Sequence, residues 1–115
     1  MTTGLVISTD LLFADSLCQR AKAQGKLLEM RSLESAKDFP DSHEVSILLV
    51  DLSSLGAKVV DAIAALKKQF PNARITAFGP HVHEGLLQSA MEAGCDEVLT
   101  RGQMNQFAQR YINQL

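Results

Sequence analysis

The chain is organised around Ile47-Leu48-Leu49-Val50-Asp51, where four apolar side chains follow one another without a break and stop at a carboxylate. A strand with one wet face alternates polar and apolar residues, and this run does not. Both of its faces must be covered, as in a central parallel strand flanked by helices. In open α/β sheets, ligands and chemistry gather beyond the carboxyl ends of such strands. Asp51 is expected at that end.

The flanking segments supply the other layers. Leu5-Val6-Ile7 reads as a short buried strand, and Ser8, Thr9 or Asp10 can cap the helix that follows. Phe13, Ala14, Leu17, Cys18 and Ala21 recur at helical spacing up to Gly25, with Asp15, Gln19 and Lys22 on the wet side. Residues 26–31 are a weaker strand nearer the sheet edge, and Pro40 limits residues 33–39 to a short helix. Beyond Asp51, a loop holding Ser53, Ser54 and Gly56 leads to a helix whose apolar stripe is read as Val59, Val60, Ile63, Ala64, Leu66 and Phe70, with Lys67 and Lys68 solvated. Residues 74–78 form a fourth strand, ended by Gly79-Pro80. Residues 83–93 form a fourth helix, with Leu86, Leu87, Ala90 and Met91 read as inward. Glu97 to Thr100 is the last strand, Arg101-Gly102 a turn, and residues 103–115 the last helix. Five strands alternating with five helices, joined by short connections, predict a parallel sheet in a three-layer sandwich of flavodoxin-like topology, as one domain over residues 1–115.

Composition narrows the function. The formal net charge of -2 gives no general attraction to nucleic acid or an anionic membrane surface. The longest apolar runs are strand-sized, which predicts no bilayer span. Residues 1–4 have no basic segment, and the apolar stretch after them is broken at Ser8, so no secretory signal is expected. Cys18 and Cys95 lack CxxC spacing and read as reduced, small apolar residues of a cytoplasmic protein. Neither a glycine-rich phosphate loop nor a hydrolase elbow occurs, and no enzymatic constellation is visible.

With its elements in this order, the chain resembles the receiver domains of bacterial two-component response regulators. The resemblance rests on the strand ending in Val50-Asp51 and on the segment from Ala90 to Leu99 (AMEAGCDEVL), and it covers nearly the whole length. It implies a phospho-acceptor aspartate ending strand three, and Mg²⁺ held by it and by an acidic pair ending strand one. It also implies a Ser or Thr ending strand four and a Lys ending strand five. By position, Asp51 matches the acceptor; Ser8 and Thr9 stand where the acidic pair should be, with Asp10 about one residue displaced; Gly79 replaces the hydroxyl residue, with Thr76 three residues earlier; Arg101 replaces the Lys.

Mg²⁺ favours several oxygen ligands, carboxylates among them, and neutral hydroxyls at Ser8 and Thr9 do not supply the missing charge. Phosphoryl transfer depends on clamping the charge of the transferring group. Arg101 can form a two-pronged pair with Asp51. The expectation is a pseudo-receiver with no catalytic residue and no metal or other cofactor: a standalone, phosphorylation-independent protein–protein interaction module in bacterial signal transduction. The alternative is a functional single-domain response regulator of a two-component phosphorelay, phosphorylated on Asp51 and requiring Mg²⁺. In the resembling family, helix four, strand five and helix five form the usual partner face. With the loop before helix four, that face draws here on His81, His83, Glu84, Gln88, Glu97, Thr100, Gln103 and Gln106. The expected partner is another signalling protein or a second copy in a weak homodimer, with no nucleic acid and no membrane. The segment from His81 to Glu84 reads as an exposed loop rather than a metal site, because its nearest further histidine, His43, lies in a distant loop.

Overall fold

The computed structural model describes residues 3–115. Five strands, β1 (Thr3–Ile7), β2 (Leu28–Arg31), β3 (Val45–Asp51), β4 (Arg74–Gly79) and β5 (Glu97–Thr100), form one sheet in the order β2-β1-β3-β4-β5. All pairs are parallel, and β3 lies at the centre with Val6 opposite Leu49 and Asp51 opposite Phe78. The helices are α1 (Leu11–Ala23), α2 (Leu33–Ala36), α3 (Val59–Gln69), α4 (Glu84–Glu92) and α5 (Arg101–Asn113), with single 3₁₀ turns at Ser42–Glu44 and Leu52–Ser54.

The unbroken apolar run has the structural role its sequence implies. Leu48 and Val50 face one side, in a core with Ile63, Leu66 and Phe70 of the α3 segment and Ala90 of α4. Ile47 and Leu49 face the other, with Ala14, Leu17 and Ala21 of α1 and Met104, Ala108 and Ile112 of α5. Each buries its side chain completely or nearly so, and truncating such a residue to Ala costs about 2–5 kcal/mol. Gly25 and Gly94, just beyond α1 and α4, have φ of 73° and 106°, the left-handed backbone that ends helices.

Four details differ from the sequence expectation. On α3 the buried stripe is Val59, Ala62, Ile63 and Leu66, whereas Val60 and Ala64 are exposed, because each lies one residue, about 100° of rotation, off the stripe. Met91 is 49% exposed rather than inward, since Leu86, Leu87 and Ala90 already fill the inner side of α4. Arg101 and Gly102 are not a turn: α5 begins at Arg101, because Thr100 and Gln103 make a reciprocal capping box that satisfies two orphan N–H groups. Lys67 is more than a solvated helix end, as its ammonium donates to the Gly94 carbonyl at 3.0 Å and ties α3 to the end of α4.

Candidate functional site

The carboxyl ends of β1 and β3 bring Ser8, Asp10 and Asp51 together. Asp10 is the N-cap of α1, and its Oδ1 accepts the Phe13 N–H at 3.2 Å. Ser8 Oγ donates to Asp51 Oδ2 at 2.9 Å and accepts the Asp10 N–H at 3.0 Å, so one hydroxyl links both carboxylate residues. Asp51 Oδ1 accepts the Ser53 N–H at 3.1 Å and starts the 3₁₀ turn. Asp51 itself is only 2% exposed.

The cation of the site is Arg101, the first residue of α5. Its Nη2 donates to Asp10 Oδ2, and its Nη1 lies 3.7 Å from Asp51 Oδ2. The guanidinium sits 4.8 Å above the Phe13 ring, which in turn packs 5.1 Å from Phe78. The expected two-pronged pair with Asp51 is therefore replaced by a bridge whose direct hydrogen bond goes to Asp10. The short reach from the start of α5, with the ring beneath, spreads the fork between both carboxylates. The Phe13 N–H is the first cause holding the Asp10 carboxyl below its usual range; the Arg101 hydrogen bond and charge add to it, against partial desolvation.

Thr9 points elsewhere. Its N–H donates to Ser54 Oγ at 2.9 Å and its hydroxyl lies 3.1 Å from the same oxygen, joining the two loops beside Asp51. Gly79 is buried against Leu52 and Leu87, with no hydroxyl to offer. Thr76 is fully buried at the level of Leu49, two residues before Asp51 along the strand register, and its hydroxyl lies beside Tyr111 rather than at the site.

These residues do not fit Mg²⁺. The volume between the Asp10 and Asp51 carboxylates belongs to the guanidinium, and Asp51 has one oxygen on a serine hydroxyl and the other on a backbone N–H. Among the described residues, no group of three or more His, Cys, Asp or Glu is placed to hold a metal ion. His81 and His83 are exposed in the turn before α4. Cys18 and Cys95 are free thiols, both pushed up to about 11, chiefly by desolvation.

The predicted partner face divides. His81, His83, Glu84, Gln88, Gln103 and Gln106 are exposed. Glu97 is half-buried and accepts the Tyr111 phenol, and Thr100 is half-buried in the α5 cap. Two exposed apolar residues join the face, Val82 at 72% and Met91 at 49%. A cavity of about 380 Å³ between α4 and β5 is lined by Glu84, Leu87, Gln88, Met91 and Val98. Sequence reasoning missed Phe13 and Ser54 as parts of the site. Phe13 reads as one more core position, and no local signal pairs Ser54 with Thr9 across 45 residues.

Among the described residues, no helix is long and apolar enough to cross a membrane. No protein-family model matches the chain, and no curated protein matches its sequence. Solved structures do. A response regulator from Thermotoga maritima superposes with a TM-score of 0.76 at 15% identity, over 98% of this chain and 96% of that one. A two-component response regulator from Clostridium difficile gives 0.77 at 13% identity, over 99% and 97%. The beryllofluoride-activated NtrC4 receiver domain dimer gives 0.75 at 15%, over 99% and 98%. With its single five-stranded parallel sheet and five helices, the chain has the flavodoxin-like fold of response-regulator receiver domains.

Proposed function

We propose that this chain is a receiver-fold signalling module that acts through protein contact, without catalysis, a metal cofactor or phosphorylation of Asp51. The observation that carries this reading is the state of Asp51: 2% exposed, with one oxygen on the Ser8 hydroxyl and the other on the Ser53 N–H, while the neighbouring Asp10 is bonded to Arg101. An acceptor must present an accessible oxygen in line with the donor's phosphorus, beside a clamp for the transferring charge. Here the carboxylate is nearly inaccessible and the nearest cation is shared with Asp10. The contact face is the one formed by α4, β5 and α5, where Val82 and Met91 stand among His83, Gln88, Gln103 and Gln106. Its polar composition fits a transient interface, with a cytoplasmic signalling protein or with a second copy in a weak dimer. A receiver dimer among the structural neighbours is consistent with the latter.

The test is incubation with Mg²⁺ and acetyl phosphate, followed by intact-mass measurement. The expected result is an unchanged mass in the wild type and in Asp51→Asn alike. A phosphoryl adduct on the wild type that Asp51→Asn abolishes would overturn the reading in favour of a working single-domain response regulator.

A further inference from the structure

We infer that Arg101 is the resident cation of the Asp10–Asp51 pocket, and that by filling it the side chain keeps divalent ions out. A carboxylate as buried as Asp51 is costly without a compensating charge. The positive charge within reach is the Arg101 guanidinium, whose Nη1 stands 3.7 Å from Asp51 Oδ2 while Nη2 bonds Asp10. Three features fix it there. The Phe13 ring lies beneath it at 4.8 Å, the capping box of Thr100 and Gln103 sets the start of α5, and Ser8 holds both acidic residues in register.

A guanidinium stays protonated at any pH a protein meets, and here it is covalently attached. The pocket's cation is therefore supplied independently of metal concentration and of pH. A divalent ion must evict the guanidinium and then find two carboxylates with only neutral oxygens around them. The bridge also fastens the first turn of α5 to the β1–α1 junction, so Gln103 and Gln106 are presented from a fixed helix start. This rests on the proposed contact role only for its functional meaning, since the charge argument stands without it.

The experiment is a Mn²⁺ titration of the full isotope-labelled chain, read as paramagnetic broadening of backbone amide signals. In the wild type, residues 8–10 and 51–53 are expected to keep their signals at millimolar Mn²⁺. In Arg101→Gln the same amides are expected to broaden at a concentration at least about tenfold lower, because the charge around a hard cation sets its affinity over decades. The double variant Arg101→Gln with Asp51→Asn is expected to lose that gain. Equal broadening in wild type and Arg101→Gln would overturn the inference, as would a folded Arg101→Gln that shows none. Should that variant not fold, wild-type thermal unfolding with Mg²⁺ or with a chelator decides: an unchanged midpoint supports exclusion, and a rise with Mg²⁺ overturns it. A phosphoryl adduct on Asp51 would defeat the proposed function, whereas metal entry alone would defeat only the role of Arg101.

Discussion

Thr9 and Ser54 join the β1–α1 loop to the turn after β3: the Thr9 N–H donates to Ser54 Oγ at 2.9 Å, and the two hydroxyls stand 3.1 Å apart. Both bonds are open to water, so their net worth is small. Ser54→Ala is expected to lower stability by only about 0.5 kcal/mol. It should nonetheless speed exchange of the Thr9 amide hydrogen far more than that of Val6 in the fully buried strand below. Unchanged exchange at Thr9 would mean that the loops are held by something else.

Asp51 carries more. Asp51→Ala removes the acceptor of the Ser8 hydroxyl and the Ser53 N–H and leaves Arg101 with Asp10 alone. Ser8 is buried, and leaving its hydroxyl unsatisfied costs about 1–3 kcal/mol, so the urea midpoint should fall clearly at constant slope. Asp51→Asn keeps an acceptor oxygen and should lose less. A tolerated Asp51→Ala would show that the hydrogen bonds at this strand end contribute little. Asp10 adds a pH dependence: its folded pKa is depressed, so its stabilisation is present above the ordinary carboxylate pKa of about 3.9 and disappears as pH falls through the lower folded value.

Tyr111 is the sole tyrosine, and there is no tryptophan, so its ionisation can be followed directly by ultraviolet absorbance. Burial, with the Glu97 hydrogen bond and charge, pushes its phenol up to about 12. An acid with a raised folded pKa keeps its proton longer in the native state than in the unfolded chain. Stability should therefore be intact below about pH 10, the ordinary tyrosine value, and decline as pH rises towards 12. Glu97→Gln should bring the phenol's transition down. A native-state transition near 10 would place Tyr111 in water.

Gly94 has φ of 106°, and a Cβ there would meet Lys67 Nζ at 2.6 Å. Gly94→Ala should cost about 1 kcal/mol or more, the usual penalty for a side chain where φ is positive. Adding Lys67→Ala removes the clash and should return only part of the loss, since the backbone strain remains. Full recovery in the double variant would assign the whole effect to the lysine.

The candidate site was legible in the sequence at some residues and not at others. Asp51 and Arg101 were both visible as strand-end positions, and Asp10 as a helix cap. The start of α5 was not, because Thr100 and Gln103 are polar residues that read equally well as surface until their reciprocal bonds are seen. The resemblance places Glu97 on the partner face, whereas its carboxylate turns in to the Tyr111 phenol. Polarity states that a side chain needs a partner, not whether the partner is water.

Local pattern was enough to determine the layers: an apolar run without alternation must be covered on both sides, and glycines that tolerate positive φ must end α1 and α4. The tertiary structure alone decided how Arg101 divides itself. Asp10 and Asp51 are 41 residues apart by their numbering and reach one guanidinium only because β1 and β3 are neighbours and α5 begins beside them. The direct hydrogen bond goes to Asp10, with the Phe13 ring 4.8 Å from the fork. Hydrophobic period acts within a segment, whereas an ion pair is set by distances between segments that are far apart in the chain.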